Sequence, residues 1–149
     1  MIKIICVGKI KKRYFTSAIS EYFKRISRYT KIKVIEIPDE ANVEKALKIE
    51  GEKIIKKIKD DEYVIGLDIE GKELSSLEFA KKINNIFNSN SNITFVIGGS
   101  YGLSTDVKKR SNYLLSFSKM TFPHQMFRVI LLEQIYRAYK INNNESYHK

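Results

Sequence analysis

The sequence predicts an α/β fold, a mostly parallel β-sheet flanked by helices. Three observations carry this. Short β-branched apolar runs alternate with segments whose apolar residues recur at helical spacing. Helix-start signals, Ser75 with Glu78 and Ser104 with Asp106, fall between those runs. At 149 residues the chain is long enough for one buried core and short for two, so a single domain over 1–149 is expected.

The elements follow in order. "IKIICV" (2–7) is an apolar strand whose flanking charges come after it, which separates it from a signal peptide. Phe15, Ala18, Ile19, Tyr22, Phe23 and Ile26 then mark one face of a helix. "IKVIEI" (32–37) is a second strand. Val43, Leu47, Ile54 and Ile58 mark a second helix, with Gly51 its weak point. "YVIGLDI" (63–69) is a third strand leading into a loop, "GLDIEGKELS" (66–75), in which Gly71 is expected to turn the chain. Ser75 then caps a helix carrying Leu77, Ala80, Ile83 and Phe87. "NSNSN" (88–92) is a loop, and "ITFVI" (93–97) and "YLLSF" (113–117) are the last strands, separated by a short helix capped by Ser104. The final helix, Met126 to Ile141, has few polar residues: Arg128, Glu133, Gln134, Arg137 and Lys140. So wide an apolar surface suits either a deeply buried helix or an interface between two copies of the chain.

Composition narrows the function. No apolar run approaches the length of a membrane span. Cys6 is the only cysteine, which rules out an internal disulfide and a cysteine-based zinc site, and a cytosolic location is expected. The net charge of +10 is unevenly spread. Residues 1–33 hold ten Lys/Arg against one Glu, residues 34–107 hold nine against fourteen acids, and residues 108–149 hold eight against two. If the two ends meet in the fold, they make one basic surface suited to a polyanion, RNA or DNA, although a charge run is also what any solvated face shows.

In parallel sheets a ligand sits at the carboxyl ends of the strands, and three such places stand out. The first is the loop 66–75. The second is "FVIGGSYGLS" (95–104), where paired glycines after a strand let backbone approach a ligand; it matches neither GxGxxG nor the GxxxxGK[ST] loop. The third is "SKMTFPHQMFRV" (118–129), where Pro123 enters the last helix, His124 follows, and Arg128 lies one turn on. His124 there either packs against the helix or accepts a proton near neutral pH. The tail ends in Tyr147, His148 and Lys149, either frayed or stacked on a base.

These segments together, "LDIEGK", "FVIGGSYGL", "SFSKMTFPHQMFRVILLEQIYRAYKI" and the terminal "YHK", resemble the bacterial RlmH methyltransferases. Those are small SPOUT-class enzymes that methylate N3 of a pseudouridine in 23S ribosomal RNA. The likeness runs end to end; Tyr101 and a short stretch after Ile37 depart from it. The resemblance implies a C-terminal trefoil knot, a homodimer packed through the last helix, and action on the assembled ribosome. It implies S-adenosylmethionine, without a metal, held by Leu67, Gly98 and the run Phe117, Ser118, Lys119, Met120, Thr121 and Phe122. With that chemistry, His124 is the candidate base, Arg128 the candidate stabiliser of the imide anion or of a phosphate, and Tyr147 and His148 the candidate clamp on the base from the partner subunit. Lys11, Lys12, Arg13, Lys24 and Arg25 are the candidate contacts to RNA backbone. The reading of a different class is a non-catalytic ribosome-binding or RNA-binding protein on the same fold.

Overall fold

The computed structural model describes residues 1–149. Ten elements alternate: β1 (Ile2–Val7), α1 (Arg13–Ile26), β2 (Ile32–Ile37), α2 (Val43–Ile55), β3 (Tyr63–Glu73), α3 (Ser76–Phe87), β4 (Ile93–Ile97), α4 (Thr105–Arg110), β5 (Tyr113–Ser116) and α5 (His124–Asn142). The strands form one sheet in the order β2-β1-β4-β3-β5, and every pairing is parallel. The fold class read from the sequence is therefore the one observed.

The sheet has a core on each face. Alternate residues of a strand point to opposite sides, so Ile2, Ile4 and Cys6 of β1 join one cluster and Ile5 and Val7 the other. The larger cluster is closed by α1, α3 and α5 through Ile26, Phe79, Ile83, Leu131, Leu132 and Ile135. The smaller one is closed by Ile54 of α2, Val107 of α4 and Leu103 from the loop before α4. Lys3 is the polar exception in β1: its Nζ lies 2.6 Å from Glu62, whose other oxygen accepts from Thr94 Oγ1 at 2.9 Å. Each of the three is at least nine-tenths buried. This pair sits at the amino ends of the strands, away from the loops described below.

Three sequence expectations change. No turn occurs at Gly71; β3 runs on to Glu73 and pairs with β5 on both sides of an excursion, since Leu67 and Lys72 both face Leu115. Gly71 serves a close approach instead, because a Cβ there would meet Leu114 O at 2.6 Å. Gly51 does not break α2; it is buried where α2 packs on Ser104 and Val107. Val43, Leu47 and Leu77 are exposed, and Ala46, Glu50 and Gly51 take the inner face of α2. Capping outcomes match the sequence: Ser75 and Glu78 form the reciprocal capping box, and Ser104 accepts from Val107 N at 3.2 Å.

Candidate active site

The carboxyl ends of β3, β4 and β5 open onto a crevice of about 480 Å³. Its first wall is the β3 excursion, Leu67 to Glu70, which exists because β3 leaves and rejoins β5 within a few residues. Asp68 in that wall pairs with Lys108 of α4 at 3.4 Å.

The second wall is the loop after β4. Gly98 packs so tightly on Gly102 that a Cβ would lie 2.6 Å from its carbonyl carbon. The loop closes on itself through a bridge between Gly99 and Gly102, with Gly102 N donating to Gly99 O at 3.1 Å and Gly102 at φ +79°. Only glycines allow a turn this narrow at both positions. Tyr101 stands at its tip, 53% exposed.

The third wall is the stretch after β5. Ser118 Oγ accepts from Met120 N at 3.0 Å, and Ser118 O accepts from Ser116 Oγ at 3.0 Å, which fixes this stretch as a local turn. Phe117 meets Phe127 edge-on at 5.0 Å, and Phe122 stacks on Phe127 at 6.0 Å, so aromatic rings seal the crevice against α5. Of the eight residues expected around a cofactor, Leu67, Gly98, Phe117, Ser118, Met120, Thr121 and Phe122 line the crevice. Lys119 is exposed and is not part of the lining.

At the mouth of α5 the structure separates the two residues that the sequence put on one face. His124 lines the crevice, and its Nδ1 is buried without a hydrogen-bond partner. Arg128 does not reach the crevice. It turns toward β1 and β2, where Nη1 donates to Glu36 at 2.8 Å and Nη2 donates to Gly8 O at 3.1 Å. With its side chain 3% exposed it satisfies a buried carbonyl and a carboxylate, which fixes it away from any bound molecule in the crevice. Burial also pushes the neighbouring Cys6 thiol up to about 11, only partly offset by the Arg128 charge.

The tail folds back on its own α5. Tyr147 meets Tyr136 edge-on at 4.9 Å and donates to Glu133 at 3.1 Å, while His148 Nδ1 is 3.0 Å from Arg137. Burial, with the Glu133 charge beside it, pushes the Tyr147 phenol up to about 12. At roughly 1.5 Å per helical residue, Arg137 is about 20 Å along α5 from His124. The tail is therefore not in the crevice of its own chain. The basic residues also divide. Lys11, Lys12 and Arg13 are exposed at the entrance to α1, and Lys11 N donates to Gln125 at 3.1 Å, next to His124. Lys24 and Arg25 lie at the other end of α1, and Arg25 is taken up by Glu21 at 2.9 Å.

Sequence reasoning missed Gly8, Glu36 and Lys108. One signal was present: Gly8 directly follows a strand, just as Gly98 does. The partners of Gly8, Ile37 and Arg128, lie more than 25 residues away and gave no local sign.

The family model "Predicted SPOUT methyltransferase" matches residues 1–148. The chain is 56% identical to the ribosomal RNA large subunit methyltransferase H of Clostridium botulinum (strain Alaska E43 / Type E3), with 99% of each chain covered. It is 53% identical to the protein of the same name from Lactobacillus helveticus (strain DPC 4571), again over 99% of both. Among solved structures, a probable methylase family protein from Haemophilus influenzae Rd KW20 superposes with a TM-score of 0.60 at 18% identity, covering 99% of this chain and 70% of that one. The last likeness concerns the fold alone. The chain belongs to the SPOUT methyltransferase family.

Proposed function

We propose that this SPOUT methyltransferase chain transfers a methyl group from S-adenosylmethionine to N3 of a pseudouridine in 23S ribosomal RNA, acting in the cytoplasm as a homodimer on the assembled ribosome. The observation that supports this most directly is the convergence of the β3 excursion and the loops after β4 and β5 on one crevice closed by the mouth of α5.

The crevice fits such a cofactor. Its volume lies in the range of small-molecule sites, Leu67, Ile97, Leu115 and Phe117 give apolar walls for a purine, and Glu70 places negative charge in a wall where Asp68 is already paired with Lys108. S-adenosylmethionine, when bound, supplies an electrophilic methyl group on its sulfonium. The chain's own residues then position the acceptor and deal with its proton. N3 of a pseudouridine has no usable lone pair until its proton leaves, and His124, whose side chain lines the crevice, is the residue that accepts it in this reading. Lys11, Lys12 and Arg13, next to that mouth, hold RNA phosphates, with Lys24 and Arg25 extending the basic surface along α1. Arg128 does not touch substrate in this reading.

A second copy would pack on the outward face of α5, where Met126 is 43% exposed and Val129 and Ile130 are partly exposed. The tail's distance from its own crevice supports a role for Tyr147 and His148 in the partner's crevice. The reading includes the family's trefoil knot; β5 pairs with β3 rather than β4, and the stretch after it returns to the crevice made by the β3 excursion and the loop after β4.

The test is transfer of label from S-adenosylmethionine to ribosomes lacking the modification, with mass spectrometry to locate it. Label on a 23S pseudouridine is expected. If neither ribosomes nor free RNA accept label, the proposal fails and a non-catalytic ribosome-binding role takes its place.

A further inference from the structure

The loop between β1 and α1, residues 8–12, carries Lys9, Lys11 and Lys12 and is tied to α5 and β2 by four hydrogen bonds, one of them from Gly8 N to Ile37 O at 2.8 Å. Glu36, at the end of β2, is the hub. Its Oε2 accepts from Ile10 N at 3.2 Å and from Arg128 Nη1 at 2.8 Å. Arg128 Nη2 also donates to Gly8 O at 3.1 Å, and Lys11 N donates to Gln125 Oε1 at 3.1 Å. Gly8, at φ +97°, is drawn so close to α5 that a Cβ would lie 2.9 Å from His124 Cε1 and 3.3 Å from Asp39 Oδ1.

We infer that Glu36 and Arg128 form a strut that positions the basic loop and His124 relative to each other, making both positioning residues for methyl transfer. The inference rests on the function proposed above. The geometry has a direction. Arg128 is buried at 3% side-chain exposure, whereas Glu36 is 36% exposed, so the strut runs from the interior out to the loop that carries the lysines. One guanidinium holds the carbonyl that ends β1, and one carboxylate holds the amide two residues further on. Between them the loop backbone has little freedom, and Gly8 lies so close to the His124 ring that no Cβ would fit between them, so a shift of the loop is felt at the ring. A phosphate held by Lys11 or Lys12 is thereby registered against the crevice mouth. Displacing a reacting group by about 1 Å can lower a rate by about 100-fold, so a strut remote from the crevice can govern turnover.

The test uses the full chain with Arg128→Met, Arg128→Lys, Glu36→Gln and the double variant Arg128→Met/Glu36→Gln. Turnover on ribosomes lacking the modification, calorimetric affinity for S-adenosylmethionine, and hydrogen exchange at the Ile10 and Lys11 amides are measured together. Arg128→Met and Glu36→Gln are each expected to lower kcat by at least about tenfold while cofactor affinity stays within about twofold. Both amides lose protection, and the double variant is no slower than the slower single one, because both changes cut the same strut. Arg128→Lys, which can keep one of the two ties, recovers part of the rate. Unchanged kcat, parallel loss of cofactor affinity and turnover, or fully additive losses would each overturn the strut. If the unmodified protein transfers no methyl group, the functional reading fails, and the exchange arm decides the strut separately: retained amide protection in Arg128→Met refutes it, lost protection upholds it.

Discussion

Replacing Gly98 by alanine adds a single carbon at the tightest point of the crevice. That carbon would sit 2.6 Å from the Gly102 carbonyl carbon, with the Gly102 oxygen nearer still. Carbon atoms in ordinary contact keep roughly 3.5–4.0 Å, so the turn from Gly99 to Gly102 must open by about 1 Å. Both opposing atoms are backbone, and no rotamer change relieves them. Overpacking of this kind costs about 1–3 kcal/mol, which for a chain of this size lowers Tm by roughly 2–12 °C. The displaced turn is also a wall of the crevice. Affinity for S-adenosylmethionine should therefore fall by at least about tenfold, or about 1.4 kcal/mol. Calorimetric titration alongside a thermal melt measures both. Gly102→Ala is the control: a Cβ there meets nothing within 4 Å, but φ +79° strains any L side chain. It should lower Tm through about 1–2 kcal/mol of backbone strain and weaken cofactor binding less than Gly98→Ala. Wild-type affinity in Gly98→Ala, or weaker binding by Gly102→Ala, would refute the reasoning that the Gly98–Gly102 contact shapes the crevice.

Three further outcomes follow from other parts of the molecule. Burial opposes the Glu62 charge, but hydrogen bonds from Lys3 and Thr94 outweigh it and hold the carboxyl below its ordinary 4.5. The stabilisation is then complete above that value and lost as pH falls through the lower folded-state value; chemical denaturation across pH 3–6 should show this loss, and Glu62→Gln should flatten it. With its thiol raised to about 11 and 1% exposure, Cys6 should react with a thiol reagent at pH 8 only at the rate of unfolding, and immediate stoichiometric labelling of native protein would contradict its burial. Deleting Tyr147–Lys149 should leave cofactor affinity within about twofold and cut turnover by at least about tenfold, the scale of a lost positioning group; unchanged turnover removes the tail from the reaction.

The sequence made the elements legible where the physics is local. β1 is apolar at five of its six positions because a central parallel strand is covered on both faces, and such a run cannot be mistaken for an amphipathic helix. The Ser75 and Glu78 box and the Ser104 cap are satisfied within four residues, so their spacing sufficed. The failures are nonlocal. Lys3 looked like an ordinary charge because Glu62 lies 59 residues away. Leu47 fell at helical spacing, but α2 turns its inner face to α4, whose Ser104 leaves room only for Gly51. Gly71 looked like a turn because a strand that leaves its partner and returns has no sequence signature distinct from a loop.

Arg128 shows most sharply where residue spacing stops being informative. Positions i and i+4 fix where two Cα–Cβ bonds emerge from a helix, and His124 and Arg128 do emerge on one side of α5. What the side chains then reach depends on which strand ends lie opposite. The order β2-β1-β4-β3-β5 puts β4 and β1 side by side, so the loops after them flank the α5 mouth from two directions. His124 faces the crevice made by the β3 excursion and the loops after β4 and β5, while Arg128, one turn deeper, meets the ends of β1 and β2. The helix start is thus a joint between two halves of the sheet. One half forms the crevice, the other carries the basic loop, and His124 lies between them, in the crevice lining and close against Gly8. A charge-preserving change at Arg128 should therefore disturb the relation between the halves before it disturbs either half alone.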